Sequence, residues 1–373
     1  MKCNGTYDVQ VQTLHGEFTF RNQKFHSLPH GSSAFLQASQ DCQSAVTEGL
    51  ECLAVETCLH ARSYEKARIM LARVTGTSLM TCQTLCNWVQ KTAARIDLCL
   101  LAEAAQATAI ALPPLAATVD LYASDSHEIQ LFEDGILVKA QKPTHEKQGQ
   151  EKKAKPAQFH QSYFSLVPDP AGRYHFVMGT SEGTLSLSTA LRTFVCQQWQ
   201  NAPDALRLVA ITDGARDLRH DLRAAFGSRL MLFLDWFHLR KKVCEICSML
   251  VGTKEARTAL KKQMLKLLFH GQVAEAQQVL AALPVRHAFM HNKLVVYLSN
   301  HADEIIDYER RARAKQTIGS GRMEKGVDQV IGLRQKDHGM SWSKRGSYAL
   351  GLATAFFTNG RWDQLWNTSS MPA

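Results

Sequence analysis

The sequence predicts an α/β protein whose central sheet mixes antiparallel and parallel strands. Two apolar runs, RLVAITDG and MLFLDWFH, each end at or just beyond an aspartate and flank one amphipathic helical stretch, ARDLRHDLRAAFG. Strands of a parallel sheet are buried on both faces and therefore read as continuous hydrophobic runs. Three further strand-like segments precede this unit, and a long, strongly helical stretch follows it. Ligands of such sheets collect at the carboxyl ends of the strands.

The bulk composition is that of a globular protein with room for more than one domain. The chain has 373 residues, of which 45% are hydrophobic and 21% charged, as is usual for such proteins. We find no uncharged apolar run of about 18 residues and no signal peptide, so we expect a cytoplasmic protein without a membrane partner. Ten scattered cysteines are typical of thiols that stay reduced.

The net charge of +9 indicates a polyanionic partner. The alternative for each basic cluster is a solvated face. We assign DNA contacts to residues of two basic clusters and of one later segment, namely Lys142, Lys147, Lys152 and Lys153; Arg240, Lys241 and Lys242; and Arg334 and Lys336. A third cluster, Arg310, Arg311, Arg313 and Lys315, precedes a glycine loop and is also a candidate for phosphate contact.

The N-terminal third divides into two regions. Residues 1–34 contain DVQVQTL and EFTFRNQKF, which predict a small β-hairpin joined at His15 and Gly16. Residues 35–112 are helical, and SYEKARIMLARVTG followed by TSLMTCQTLCNWVQKTAARI resembles a helix-turn-helix. Its second helix would enter a DNA major groove; the alternative is a helix pair that packs without DNA.

Residues 113–345 form the predicted catalytic core, beginning at Pro113 and Pro114. DLYASDSHEIQLF and ILVKAQK flank Glu133-Asp134-Gly135, a hairpin signal. An irregular excursion runs from Pro143 to about Pro170, followed by a third strand, RYHFVMGT, and a helix. Residues 239–315 are a helical insertion, and residues 346–373 a C-terminal helix and tail.

This order of elements is the ribonuclease H-like arrangement, in which the first strand lies beside the fourth. An acid within strand one and another at the end of strand four then face each other across a gap suited to metal. Asp125 is our candidate on strand one, and Asp134 is its rival, ranked second because it falls in the predicted turn. Asp213 ends strand four, although an Asp-Gly there could equally be a turn or a helix cap.

Three carboxylates are the predicted metal ligands and catalytic groups: Asp125, Asp213 and Glu324, the last in a helix that follows the Gly319-Ser320-Gly321 loop. Mg²⁺ and Mn²⁺ prefer oxygen ligands, usually a few carboxylates with water and substrate phosphate. Two such ions can activate a water or a 3′-hydroxyl and stabilise the leaving oxygen of a phosphoryl displacement.

Three segments together carry a family resemblance: ITDGARDL, LFLDWFHLRKKV and IGSGRMEKGVDQVIGLRQKDHGMSWS. They resemble the core motifs of bacterial insertion-sequence transposases of the DDE superfamily and their transposase-like relatives, over roughly residues 118 to 345. The resemblance implies a ribonuclease H-like core with a helical insertion, and metal-dependent cutting and joining of DNA at transposon ends. Asp213 matches the second catalytic aspartate and Glu324 the glutamate, while Asp235 and His238 match a motif that supports the site.

The leading hypothesis is therefore a metal-dependent DNA transposase. Transposases pair two DNA ends, so we expect a homo-oligomer on double-stranded DNA. The first alternative is a catalytically inactive, transposase-derived protein that only binds DNA. The second is a ribonuclease H-like nuclease that cuts without joining.

Overall fold

The computed structural model describes residues 2–27, 31–34, 46–78, 80–124, 127–141, 158–180, 183–284, 286–336 and 340–366. The chain divides into two compact units. The first unit comprises Met1–Cys99, Leu137–His160 and Asp328–Ala373, and the second comprises Leu100–Ile136 and Gln161–Val327. No helix in these described ranges is both long enough and apolar enough to cross a membrane.

The first unit begins with a three-stranded antiparallel sheet, β1 (Lys2–Thr13), β2 (Gly16–Ser27) and β3 (Gly31–Ala34). The predicted hairpin is present and turns at Gly16, whose φ of 110° suits glycine. The Thr13 hydroxyl closes this turn, donating to the Gly16 carbonyl at 3.0 Å. β3 pairs with β2 and extends the hairpin by one strand that the sequence pattern did not predict.

Helices make up most of the rest of the first unit. They are α1 (Glu48–His60), α2 (Tyr64–Thr75) and the start of α3 (Cys82–Thr108) and, after a π-helical stretch at Asp328–Lys336, α12 (Lys344–Thr358) and α13 (Asp363–Trp366). Ser63 caps α2 by accepting from the Lys66 amide, and Gly76 ends it with φ of 73°. The predicted helix, turn and helix are therefore present, and the role of α3 in a DNA groove stays a prediction.

The second unit is built on a five-stranded mixed sheet. Its strands are β4 (Ile129–Lys139), β5 (Phe159–Pro168), β6 (Tyr174–Val177), β7 (Leu208–Thr212) and β8 (Met231–Leu234), in the spatial order β6-β5-β4-β7-β8. β4 runs parallel to β7, and β7 parallel to β8, whereas β5 and β6 are antiparallel. The first strand of this sheet thus lies beside the fourth, which is compatible with the ribonuclease H-like order.

The predicted turn at Glu133-Asp134-Gly135 is wrong, because β4 passes through these residues without a break. Gly135 has no positive φ, which a tight hairpin turn of the Asp-Gly type requires. Glycine serves a different purpose here. A Cβ on Gly135 would lie 2.7 Å from Cε1 of Tyr163 on β5, so the missing side chain lets that ring approach the strand. Asp134 is consequently a strand residue.

The irregular excursion predicted from Pro143 to about Pro170 is wrong in its second half, where β5 lies. Residues 142–157 are outside the described ranges. The sequence FHQSYFSLVP showed no clean alternation because the last five residues of β5 are all buried. A strand covered on both faces lacks the period of two on which such predictions depend.

The core of the second unit packs two helices against the sheet, α4 (Leu187–Trp199) and α5 (Arg216–Phe226). β7 contributes five buried residues, as expected for a central strand. Beyond β8, five α-helices fill the described part of residues 236–313: α6 (Trp236–Leu250), α7 (Lys254–Phe269), α8 (Val273–Ala281), α9 (Ala288–Asn300) and α10 (Tyr308–Arg313). The short α11 (Gly321–Val327) follows them.

Candidate active site where the parallel strands stop pairing

Two aspartates lie where the pairing between β4 and β7 ends. Glu133 and Thr212 are the last paired residues of β4 and β7, and Asp134 and Asp213 follow them. Because the strands are parallel and in register, these two aspartates are neighbours. Ala215 donates its N–H to Oδ1 of Asp213 at 2.8 Å, which closes the turn leading into α5.

Only glycine fits the position after Asp213. Gly214 has φ of 85°, and a Cβ there would lie 2.6 Å from Leu234 Cδ2 and 2.9 Å from His301 Cε1. The Asp-Gly pair that ended the strand in the sequence is thus a close-packed turn, and it leaves the Asp213 side chain partly exposed.

Asp134 is the centre of the site's electrostatics. Burial raises its pKa from the ordinary value of 3.8 to about 6, although the Gly135 N–H, which donates to Asp134 Oδ1 at 2.7 Å, opposes the shift. The charges of Asp213 and Glu324 raise this pKa further, whereas His238 lowers it. Asp134, Asp213 and Glu324 therefore share one electrostatic neighbourhood.

Asp235 fixes the loop that carries Glu324. Its carboxylate caps α6, accepting from the amides of Phe237 at 2.5 Å and His238 at 3.1 Å. It also accepts from both the amide and the hydroxyl of Ser320, in the glycine loop before α11. Burial alone would raise the pKa of Asp235, but these contacts hold that pKa below its usual value. Asp235 thereby joins the end of β8 to the helix that presents Glu324.

His238 lies next to this carboxylate. Its Nδ1 is 3.5 Å from Asp235 Oδ2, an ion-pair distance at which no hydrogen bond forms. This contact raises the pKa of His238, against the effect of burial, and the negative charges of Asp134 and Asp213 add to it. A cationic imidazole beside three acids would reduce their mutual repulsion.

Glu133 is an acid that the sequence reasoning missed. It is 1% exposed, and neither carboxylate oxygen has a hydrogen-bond partner among the described residues. Burial raises its pKa well above the ordinary value, and Asp221 and Asp213 add to the shift. The available signal was an acid inside an otherwise apolar strand, where an unpaired charge is costly and the neutral form is favoured.

The structure describes one of the two candidates for the first catalytic aspartate and not the other. Asp125 lies outside the described residues. Asp134, its rival, lies beside Asp213 and interacts with Glu324. The described structure thus brings together Asp134, Asp213 and Glu324, and it offers no test of Asp125.

The donors fit a hard cation only in part. Within the described ranges, no three acidic, histidine or cysteine side chains come close enough to share one ion. Asp134 and Asp213 supply oxygen ligands whose charges disfavour each other, as the raised pKa of Asp134 indicates. Magnesium is commonly held by one or two carboxylates, water and substrate phosphate. These two aspartates fit that kind of site, with Glu324 close enough to act on it electrostatically.

The basic residues assigned to DNA have unequal outcomes. Arg240, Lys241 and Lys336 are exposed, and Lys242 is half-buried. Lys142, Lys147, Lys152 and Lys153 lie outside the described residues.

The assignment of Arg334 to DNA contact is wrong. Its guanidinium is 4% exposed, donates to the carbonyls of Cys58 and Arg62, and packs over the rings of Tyr64 and Trp342. Burial lowers its pKa. The side chain packs in the interior of the first unit, because arginine can bury its guanidinium against rings and carbonyls. A basic stretch of sequence does not reveal this burial.

Neutralising Asp134 should stabilise the metal-free protein. The folded state holds the Asp134 proton up to about pH 6, whereas the unfolded chain releases it near 3.8, so folding stability falls as pH rises between these values. In chelator at pH 7.5, we expect the free energy of unfolding of Asp134→Asn, measured by denaturant titration, to exceed that of wild type by on the order of 2 kcal/mol. The difference should vanish below about pH 4. An equal gain from the exposed Asp303→Asn would contradict this cause.

Comparison with solved structures finds a chain in a Drosophila P element transposase strand transfer complex. The two share 11% sequence identity over 86% of this chain and 80% of that chain, with a TM-score of 0.25. A score this low assigns no residue roles here. No protein-family model and no curated protein matches the sequence.

Proposed function

We propose that this chain is a DNA transposase that cleaves and transfers strands at the ends of an insertion sequence, with Asp134, Asp213 and Glu324 as its acidic residues. The observation that carries the proposal is the electrostatic grouping of Glu324 with Asp134 and Asp213, the two residues that follow the last pair between β4 and β7. It agrees with the motif resemblance at Asp213 and Glu324. Asp134 replaces Asp125 as our first choice for the remaining aspartate.

Each residue has a distinct role in this proposal. Asp134 and Asp213 would hold Mg²⁺ or Mn²⁺, which when bound activates the attacking hydroxyl and stabilises the leaving oxygen. Glu324 adds negative charge near them, on a helix that Asp235 keeps in position through Ser320. Exposed Arg240 and Lys241 would contact the DNA backbone without reading its sequence. As two DNA ends are joined, we also propose a homo-oligomer.

A second candidate is an inactive, transposase-derived protein that only binds DNA. It is favoured by the lack of a three-donor metal group in the described ranges. The two candidates predict different effects of added metal. Only a transposase should be stabilised by Mg²⁺ and should cleave DNA in its presence.

The deciding experiment incubates the full chain with duplex DNA carrying the element's flanking ends, in Mg²⁺, in Mn²⁺ or in chelator. A transposase should nick at the ends only with metal, and addition of Mg²⁺ should also raise the thermal midpoint of the protein. End binding without nicking and without a metal-induced shift would sink the catalytic proposal and support the DNA-binding one.

A further inference from the structure

Two lysines lie together near Asp213. Lys242 is on α6 and Lys293 on α9, a helix packed against α6. Burial lowers the pKa of Lys242 and the charge of Lys293 lowers it further, while Asp213 and Glu245 oppose the shift. Lys293 also lies one helical turn before Tyr297 on the same face of α9, and the Tyr297 ring lies 4.0 Å from the Lys242 ammonium. This geometry places the two lysines side by side.

Two other nitrogen-bearing side chains in this region already have a carboxylate partner. Arg219 donates to Glu304 at 2.9 Å, and His301 Nδ1 lies 2.8 Å from the same carboxylate. In the part of the chain that the structure describes, no ion pair includes Lys242 or Lys293. The charges of Asp213 and Glu245 act on Lys242 without forming an ion pair, so both ammonium groups can bind an anion from outside the protein.

The aromatic ring of Tyr297 positions the Lys242 ammonium. The Lys242 ammonium lies 4.0 Å from the centre of the Tyr297 ring, where the negative face of the ring attracts the cation. The ring is 8% exposed, and its hydroxyl has no hydrogen-bond partner among the described residues.

Tyr297 is connected to the turn after Asp213 through His301. Tyr297 packs on His301 with ring centres 4.7 Å apart. His301 in turn occupies the space that a Cβ on Gly214 would need. Side-chain contacts thus run from Lys242 to the acidic site.

We propose that Lys242 and Lys293 together bind one backbone phosphate of the DNA, next to the phosphate at which Asp213 acts, and that Tyr297 positions Lys242 for this contact. The identity of the anion depends on the proposed function. Lysine is a suitable phosphate ligand because it acts as a compact point charge. Lys293 stands alone in the sequence, so no basic cluster pointed to it.

The first test is the salt dependence of duplex DNA binding by the full chain, measured in chelator to prevent cleavage. Each lost phosphate contact reduces the slope of log affinity against log salt by about 0.9. The double variant Lys242→Gln/Lys293→Gln should have a slope that is smaller by about this amount. Neither single variant should lose more slope than the double variant, because the two lysines share one phosphate. The matched control is Lys262→Gln, an exposed lysine of α7, which should keep the wild-type slope.

The outcomes separate this site from the proposed function. An unchanged slope in the double variant, or a loss of about two contacts, would overturn the shared phosphate while leaving the transposase proposal intact. If the wild-type chain binds no duplex DNA, both fail.

The second test addresses Tyr297. Tyr297→Phe keeps the ring and should bind DNA like wild type, whereas Tyr297→Leu should match Lys242→Gln in affinity and slope. Equal weakening by both Tyr297 variants would contradict positioning by the ring. Thermal unfolding shows whether the leucine variant is folded, and Lys293→Gln, at an exposed position, tests the phosphate site independently.

Discussion

Asp213→Asn should reduce DNA strand cleavage on the order of 10³-fold, which corresponds to several kcal/mol of lost transition-state stabilisation. The amide oxygen can still accept from the Ala215 N–H, so the turn into α5 should persist. The change removes only the negative charge at the end of β7. Cleavage is measured on labelled end-containing duplex in Mg²⁺, alongside binding of the same duplex in chelator.

Binding serves as the internal control for this variant, because the phosphate contacts lie on other residues. We expect the affinity of Asp213→Asn to stay within about threefold of wild type. The exposed Asp303→Asn should cleave normally. Wild-type cleavage by Asp213→Asn would remove this residue from the active site, and loss of both binding and fold would assign it a structural role instead.

Arg311→Met should lower the free energy of unfolding by about 3 to 5 kcal/mol. The side chains of Arg311 and Glu128 are both fully buried and form two hydrogen bonds, of 2.6 and 2.9 Å. Arg311 also donates to the carbonyls of Leu121 at 2.8 Å and Thr317 at 2.7 Å. Removing the guanidinium leaves the Glu128 carboxylate buried without its counter-charge, and this uncompensated charge dominates the cost.

Two further variants test that cause by urea denaturation. Arg313→Met breaks an exposed pair with Glu309 and should cost less than about 1 kcal/mol. Arg311→Met/Glu128→Leu removes both charges, so it should be more stable than Arg311→Met alone. A loss below about 1 kcal/mol in Arg311→Met, or no recovery in the double variant, would mean that the pair is not the source of stability.

The basic clusters illustrate what a linear pattern cannot report. Arg310, Arg311, Arg313 and Lys315 formed one predicted phosphate-contacting cluster, yet Arg311 is buried in an ion pair and Arg310 packs over the Tyr122 ring. Arg334 likewise serves the interior of the first unit. Charge density in a sequence predicts the presence of cations, whereas the partners of each cation come from residues distant in the chain.

The sequence by itself determined the parallel strands and the aspartate at the end of β7, because a continuous apolar run and the Asp-Gly pair that follows it are local features of the chain. The neighbour relation of β4 and β7 followed from the order of elements. Only the tertiary structure decided that Asp134 is a strand residue beside Asp213, since its turn signal was overridden by the packing of Tyr163 on Gly135. It also decided that Glu133 is buried and that the charge of Lys293 acts on Lys242, because burial and charge proximity depend on segments distant in the chain, which no local pattern encodes.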